Sequence, residues 1–215
     1  MDEEVCFRAV GLLPQQQVLI RATTQDDLGR RWTSRATFCA DAFGTVDLAV
    51  QKPVSGSYRG ISPMGLFWSM RLEAQDSNKQ MTFAKKDASP DRVMFEAVID
   101  GVTVASAELL RNFQAGETQT RDLEMGADVL AGGQGSSDRP PIIGRLFIPP
   151  GRGPHPAVIV LSGTGGGFDL DKAAALSRHG FATLALAYFG IPPLPTWLHR
   201  IPLEYFEAAL GWLAA

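Results

Sequence analysis

The segment Val160-Leu-Ser-Gly-Thr-Gly-Gly-Gly-Phe168 has the clearest chemical potential in this chain. An apolar run ends at Ser162, five residues rich in glycine follow (Gly163, Thr164, Gly165, Gly166 and Gly167), and a helix-forming stretch comes next. Glycine admits positive φ and lets backbone N–H groups approach a ligand closely. At the carboxyl end of a strand, such a turn is able to aim amides at an oxyanion developing on a reacting carbonyl. Other readings compete. A dinucleotide site wants G-x-G-x-x-G, and position 168, where the third glycine belongs, is Phe168. A phosphate-cradling P-loop wants Gly-Lys-Ser/Thr, and no lysine follows these glycines. A tight strand-to-helix turn with no ligand also satisfies the pattern, and the glycines alone do not choose.

A nucleophile is harder to find. An elbow of the form G-x-S-x-G, or its cysteine equivalent, occurs in no window. Ser162 sits at a strand end without flanking glycines on both sides, and Gly56 and Gly60 bracket Tyr58. Cys6 and Cys39 lack a glycine context and read as buried or half-buried small residues. Their separation gives neither a disulfide framework nor a metal-ligand spacing. His155 lies in a proline-rich turn, His179 in the last turn of a helix and His199 in a loop, none at recognisable spacing from a nucleophile and an acid. Asp169 and Asp171 read as helix caps. Phe168 and Trp197 border the presumed mouth, where aromatics more often pack than line an acyl channel. The expectation is therefore no catalytic residue and no metal site within the chain, with Gly163–Gly167 as the oxyanion-loop candidates.

The elements that would position this loop differ between the two halves. From Gln17 to about Phe113 the chain reads as strands: 17–22, 32–38, 44–50, 92–99 and 102–109, with no convincing helix. In the fourth of these, Val93, Phe95, Ala97 and Ile99 share one face, and Asp100-Gly101 then signals a hairpin. Strands so spaced suggest an antiparallel β-sandwich. Residues 131–141 have the Gly, Ser and Pro content of a linker. Beyond them the pattern alternates: strand 142–148, strand 156–161 (an unbroken apolar run expected to be covered on both faces), helix 171–179, strand 181–188, helix 203–213. Gly180 stands where a helix-ending glycine belongs. That alternation predicts a doubly wound, mostly parallel sheet. The expected organisation is a sandwich over 1–130, a linker over 131–141 and an α/β domain over 142–215.

Composition narrows the class. The 215 residues include 20 Lys and Arg against 23 Asp and Glu, a net charge of −3, with no basic block of the kind a nucleic-acid binder presents. No apolar run reaches the roughly 20 residues of a membrane span, and the start, MDEEVCF, lacks the features of a signal peptide. A soluble, cytoplasmic protein without a cofactor is expected.

Two stretches resemble a known family. Ser57-Tyr-Arg-Gly-Ile-Ser-Pro-Met-Gly-Leu-Phe-Trp-Ser-Met70 is similar to a segment in the N-terminal domain of acyl-CoA thioesterases and bile acid-CoA:amino acid N-acyltransferases. Arg145–Gly151, Gly165–Gly167, His179–Tyr188 and Leu203–Ala208 look like the opening of that family's hydrolase domain. The resemblance implies an immunoglobulin-like β-sandwich followed by the incomplete start of an alpha/beta-hydrolase domain. It implies an acyl-CoA partner and attack on its thioester by a Ser or Cys nucleophile aided by Asp and His. All three would lie beyond residue 215, so this portion alone is expected to be inactive. The implied reaction is hydrolysis to fatty acid and CoA. Transfer of the acyl group to an amino acid, or a non-catalytic binding or assembly module that keeps the sandwich, are the alternatives.

Overall fold

The computed structural model describes residues 3–73, 81–125 and 142–214. Strands dominate and helices are few. Two compact units emerge, one holding Met1–Lys85 with Pro90–Arg111, the other Lys86–Ser89 with Asn112–Ala215.

In the first unit the strands are β1 (Arg8–Ala9), β2 (Gln17–Gln25), β3 (Arg31–Cys39), β4 (Val46–Asp47), β5 (Ser55–Gly56), β6 (Arg71–Leu72), β7 (Asp91–Ile99) and β8 (Val102–Arg111). One antiparallel sheet runs β5-β3-β2-β7-β8, with β6 also beside β3; β1 and β4 pair separately. Alternation decides the buried face. Val18, Ile20 and Ala22 of β2, Ala36 and Phe38 of β3, and Val93 and Phe95 of β7 form one core with Val46, Leu48, Tyr58 and Leu66. Ala97 and Ile99 pack on it from the same side of β7, as the period-two pattern predicts. Each large side chain so buried contributes roughly 1.5–3 kcal/mol of transfer free energy. Asp100 (φ 49°) and Gly101 (φ 81°) make the tight turn between β7 and β8, because a two-residue hairpin loop of this twist needs positive φ at both positions.

The half is not helix-free. Gly65–Trp68 forms a single helical turn, α1, whose Leu66 is fully buried. A Cβ at Gly65 would sit 2.3 Å from the Tyr58 ring, so only glycine lets this turn pack there. The strand expected over 44–50 contracts to Val46–Asp47, because the Asp47 side chain accepts the Ala49 N–H and its carbonyl accepts from Gln51, folding the chain into a turn. In the turn joining β2 to β3, the buried Asp26 carboxylate accepts hydrogen bonds from the Arg30 side chain (2.7 Å), the Trp32 indole N–H (3.0 Å) and the backbone N–H groups of Leu28 and Arg30. The Lys85 ammonium lies between Asp27 (3.3 Å) and Asp91 (3.2 Å).

The second unit holds β9 (Gln119–Met125), β10 (Ile142–Ile148), β11 (Ala157–Leu161), α2 (Leu170–Ser177), β12 (Ala182–Ala187) and α3 (Leu203–Ala214). Its sheet runs β11-β12-β10-β9. The expectation of a mostly parallel sheet is not met: only β11 and β12 are parallel, while β12–β10 and β10–β9 are antiparallel. The parallel pair β11 and β12 is joined through the helical crossover α2, as parallel neighbours require, and the apolar runs themselves carry no signal of strand direction. Strand β9 lies in the stretch assigned by sequence to the first domain, yet pairs with β10 along its whole length. The expected linker at 131–141 lies outside the described residues.

Strand β12 is the centre of the sheet, with Leu184, Ala185, Leu186 and Ala187 wholly buried. Strand β11 differs from its expected coverage on both faces. It is half-buried, with Leu161 43% exposed, because among the described residues nothing pairs along its outer edge. No helix among the described residues is long and apolar enough to cross a membrane.

Candidate functional site

Because β11 and β12 are parallel neighbours, their carboxyl ends lie at the same end of the sheet, where open α/β sheets place their ligands. The glycine run leaves β11 there and the Tyr188–Gly190 segment leaves β12. The two backbones touch. Gly167 donates its N–H to the Phe189 carbonyl (3.0 Å), and the Tyr188 hydroxyl donates to the Ser162 carbonyl (2.8 Å). A Cβ on Gly166 would lie 3.1 Å from the Phe189 carbonyl oxygen and 3.2 Å from the Gly190 Cα. Gly166 and Gly167 both have positive φ, 69° and 72°. These two glycines are thus accounted for by backbone crossing and turn geometry alone.

The five loop candidates fall into two groups. The Gly166 N–H closes the turn onto the Gly163 carbonyl (3.1 Å), so it and Gly167 are engaged within the protein. The amides of Gly163, Thr164 and Gly165 donate to no acceptor among the described residues, and all three residues are exposed. That leaves up to three N–H groups for an outside acceptor. At Gly163 and Gly165 an added Cβ would meet nothing within 4 Å, so the loop surface there is open.

Among the described residues no nucleophile is assembled beside it. The Ser162 Oγ is buried without any hydrogen-bond partner, so no base is in place to activate it. His155 is half-buried before β11, while His179 and His199 are exposed. Cys39 is half-buried with its Sγ 3.4 Å from the Gln15 carbonyl; Cys6 is exposed, contrary to its expected burial, while its neighbour Phe7 takes the core-facing side. Among the described residues no group of three or more His, Cys, Asp or Glu side chains could hold a metal ion.

The expected cap at Asp169 does not form. Asp169 occupies the N-cap position of α2 but makes no side-chain hydrogen bond to the helix amides, and its carboxylate instead accepts from the Lys172 ammonium. Burial raises the Asp171 pKa, and the neighbouring Asp169 raises it further, while the Lys172 and Asp171 N–H groups pull against both. Phe168 packs on the core of the second unit, and Trp197 is 77% exposed. Gly180 (φ 86°) ends the turn after α2, as its position suggests.

Sequence reasoning missed Tyr205. Its buried hydroxyl donates to the Ala187 carbonyl (2.6 Å) and accepts the Ile143 N–H (3.3 Å), tying α3 to the end of β12 and the start of β10. Burial raises its pKa, opposed by the hydrogen bond from Ile143. The spacing Tyr205–Ala209 on an amphipathic helix marks it as core-facing, but no local signal reveals its two backbone partners.

Residues 2–125 match the family described as acyl-CoA thioester hydrolase/BAAT N-terminal region. The chain is 33% identical over 99% of its length to acyl-coenzyme A thioesterase 1 of Rattus norvegicus, covering 48% of that protein. It is 34% identical to acyl-coenzyme A amino acid N-acyltransferase 1 and 33% identical to bile acid-CoA:amino acid N-acyltransferase, both of Mus musculus, again over 99% of its own length and 49% of each. The chain thus spans about half the length of the curated relatives it matches.

Proposed function

This chain belongs to the acyl-CoA thioester hydrolase/BAAT family, and from that membership we propose that it is the N-terminal part of an enzyme that hydrolyses the thioester of an acyl-CoA. The observation that carries the reading is the β11–α2 loop, with the Gly163, Thr164 and Gly165 amides unengaged at the carboxyl end of a parallel strand pair.

In this reading the first unit is an immunoglobulin-like sandwich and the second is the opening of an alpha/beta-hydrolase domain. Support for the second comes from the sheet itself. Strand β12 already has β11 on one side and β10 on the other. A further parallel strand reached through α3 therefore has the free edge of β11 to pair with. Its carboxyl end would lie beside Gly163–Gly165, which is where a strand-to-helix turn carrying a Ser or Cys nucleophile meets its oxyanion amides. The nucleophile attacks the thioester carbonyl carbon and the carbonyl π electrons move onto oxygen, where the loop amides stabilise them. The catalytic His, having taken the nucleophile's proton during attack, passes it to the departing CoA sulfur; it then takes a proton from the water that attacks the acyl-enzyme and returns it to the nucleophile as the carboxylic acid leaves. The nucleophile, Asp and His are proposed to come from the part of the relatives that this chain does not span. A cytoplasmic setting belongs to the same proposal and is checked by cell fractionation.

A second reading, acyl transfer to an amino acid, is favoured by one observation: relatives named as acyltransferases match as well as those named as thioesterases. The test uses residues 1–215 joined to the C-terminal half of the rat thioesterase. Gly165→Pro deletes one loop N–H and Gly165→Ala keeps it. If the Gly165 amide is one of the oxyanion donors, the proline variant loses on the order of 100-fold in kcat, and the alanine variant stays near the parent. Equal turnover by the parent and by proline variants at 163, 164 and 165 would refute the oxyanion role.

A further inference from the structure

The solvent-facing side of the large sheet in the first unit holds a charge imbalance. Arg21, Arg31, Arg35 and Arg92 alternate onto that side, opposite to the core positions of their strands. Three carboxylates meet them: Glu96 bonds Arg21 (3.0 Å), Glu73 bonds Arg31 (3.1 Å), and Glu108 bonds Arg92. Arg35 has no anionic partner among the described residues. It is also directly opposite Arg21 in the β2–β3 register. Like charges so placed repel and destabilise the strand pair, so position 35 carries a cation that the fold alone does not favour.

A concavity of about 590 Å³ opens beside it, lined by Leu19, Arg35, Thr37, Ser55, Gly56 and Ser57. Its wall is built closely. A Cβ at Gly56 would lie 2.4 Å from the Arg35 carbonyl oxygen and 2.6 Å from the Ala36 Cα, so only glycine lets β5 press onto β3 at this point. Ser57 is pinned to the Arg35 backbone at both N–H and carbonyl (3.1 and 2.9 Å). The hydroxyls of Thr37 and Ser55 have no hydrogen-bond partner among the described residues. One unpaired guanidinium and two free hydroxyl donors around a polar hollow match the several acceptor oxygens of a phosphate group, for which arginine's forked donors are suited. The hollow is larger than a phosphate ion, and Leu19 offers an apolar floor for the remainder of an ester.

We propose that this hollow binds a phosphate monoester through Arg35, with Thr37 and Ser55 as hydroxyl donors. The choice of probes rests on the acyl-CoA reading, but the site lies wholly in the first unit and its test reads binding rather than turnover, so the two readings fail separately. Calorimetry on the 215-residue chain at low salt would use adenosine 3′,5′-bisphosphate, inorganic phosphate, and pantetheine as a phosphate-free probe. Arg35→Gln is expected to weaken bisphosphate binding on the order of ten- to a hundred-fold, and Thr37→Val with Ser55→Ala less. Arg35→Gln should also leave the thermal midpoint unchanged or raised, because a like-charge pair is removed. Binding of inorganic phosphate but not of the bisphosphate by the parent, lost in Arg35→Gln, would support the site and identify free phosphate as its ligand. Absence of binding by any phosphate probe, binding that Arg35→Gln leaves unchanged, or equal binding of pantetheine would overturn it.

Discussion

At the scale of single residues, Asp26 and Gly166 show how much of this protein depends on one atom's surroundings. Burial alone would push the Asp26 carboxyl up. The hydrogen bonds from Arg30, Trp32 and the Leu28 and Arg30 backbone outweigh it and hold the group well below the usual carboxylate range. Asp26→Asn leaves Arg30 without its counter-ion and should cost about 3–5 kcal/mol, read by urea unfolding. A folded-state pKa below the unfolded one, near 3.9, gives stability that is fully present above that pH and is lost as pH falls through the folded value. The denaturation midpoint should therefore decline below about pH 4, with a smaller decline in Asp26→Asn; identical pH profiles would refute this assignment. Gly166→Ala adds a Cβ against the Phe189 carbonyl at positive φ, and the left-handed conformation alone costs about 1–2 kcal/mol. The glycine run is legible in the sequence as a turn able to present amides. Which amides remain open is not, because that depends on Phe189 and Tyr188, more than twenty residues away.

At the scale of elements, alternation located β2, β3, β7 and β8 to within three residues at each end, and the Asp100-Gly101 turn set the last pairing. Strands β5 and β6 escaped because two residues carry no period. Strand β9, Gln-Thr-Arg-Asp-Leu-Glu-Met, escaped because it is largely polar, so its pairing with β10 comes from tertiary register. Strand direction was misread because an apolar run reports burial and says nothing of polarity. The helix α3 was legible, whereas its attachment through Tyr205 was not. Tyr205→Phe removes the donor to Ala187 and leaves the Ile143 N–H unsatisfied, so a loss of roughly 1–3 kcal/mol is expected. Hydrogen exchange should quicken along β10 and β12 together; unchanged protection there would show that α3 is held by packing alone.

At the scale of the whole chain, the division falls near Arg111, earlier than composition suggested, because β9 travels with the second unit. A fragment beginning at 142 lacks β9 and so exposes both outer edges of the remaining sheet, at β10 and at β11, a condition that invites edge-to-edge association. Residues 112–215 should accordingly stay monomeric to higher concentration than 142–215 in sedimentation; the reverse order would contradict the pairing. We propose that this chain supplies the oxyanion loop of an acyl-CoA thioesterase whose triad comes from the part of the relatives it does not span. The most direct test is palmitoyl-CoA hydrolysis by the 215-residue chain, alone and joined to the C-terminal half of the rat thioesterase. No turnover alone, with turnover restored in the joined protein, is the predicted result. Turnover by the 215-residue chain itself, abolished by Ser162→Ala, would contradict it.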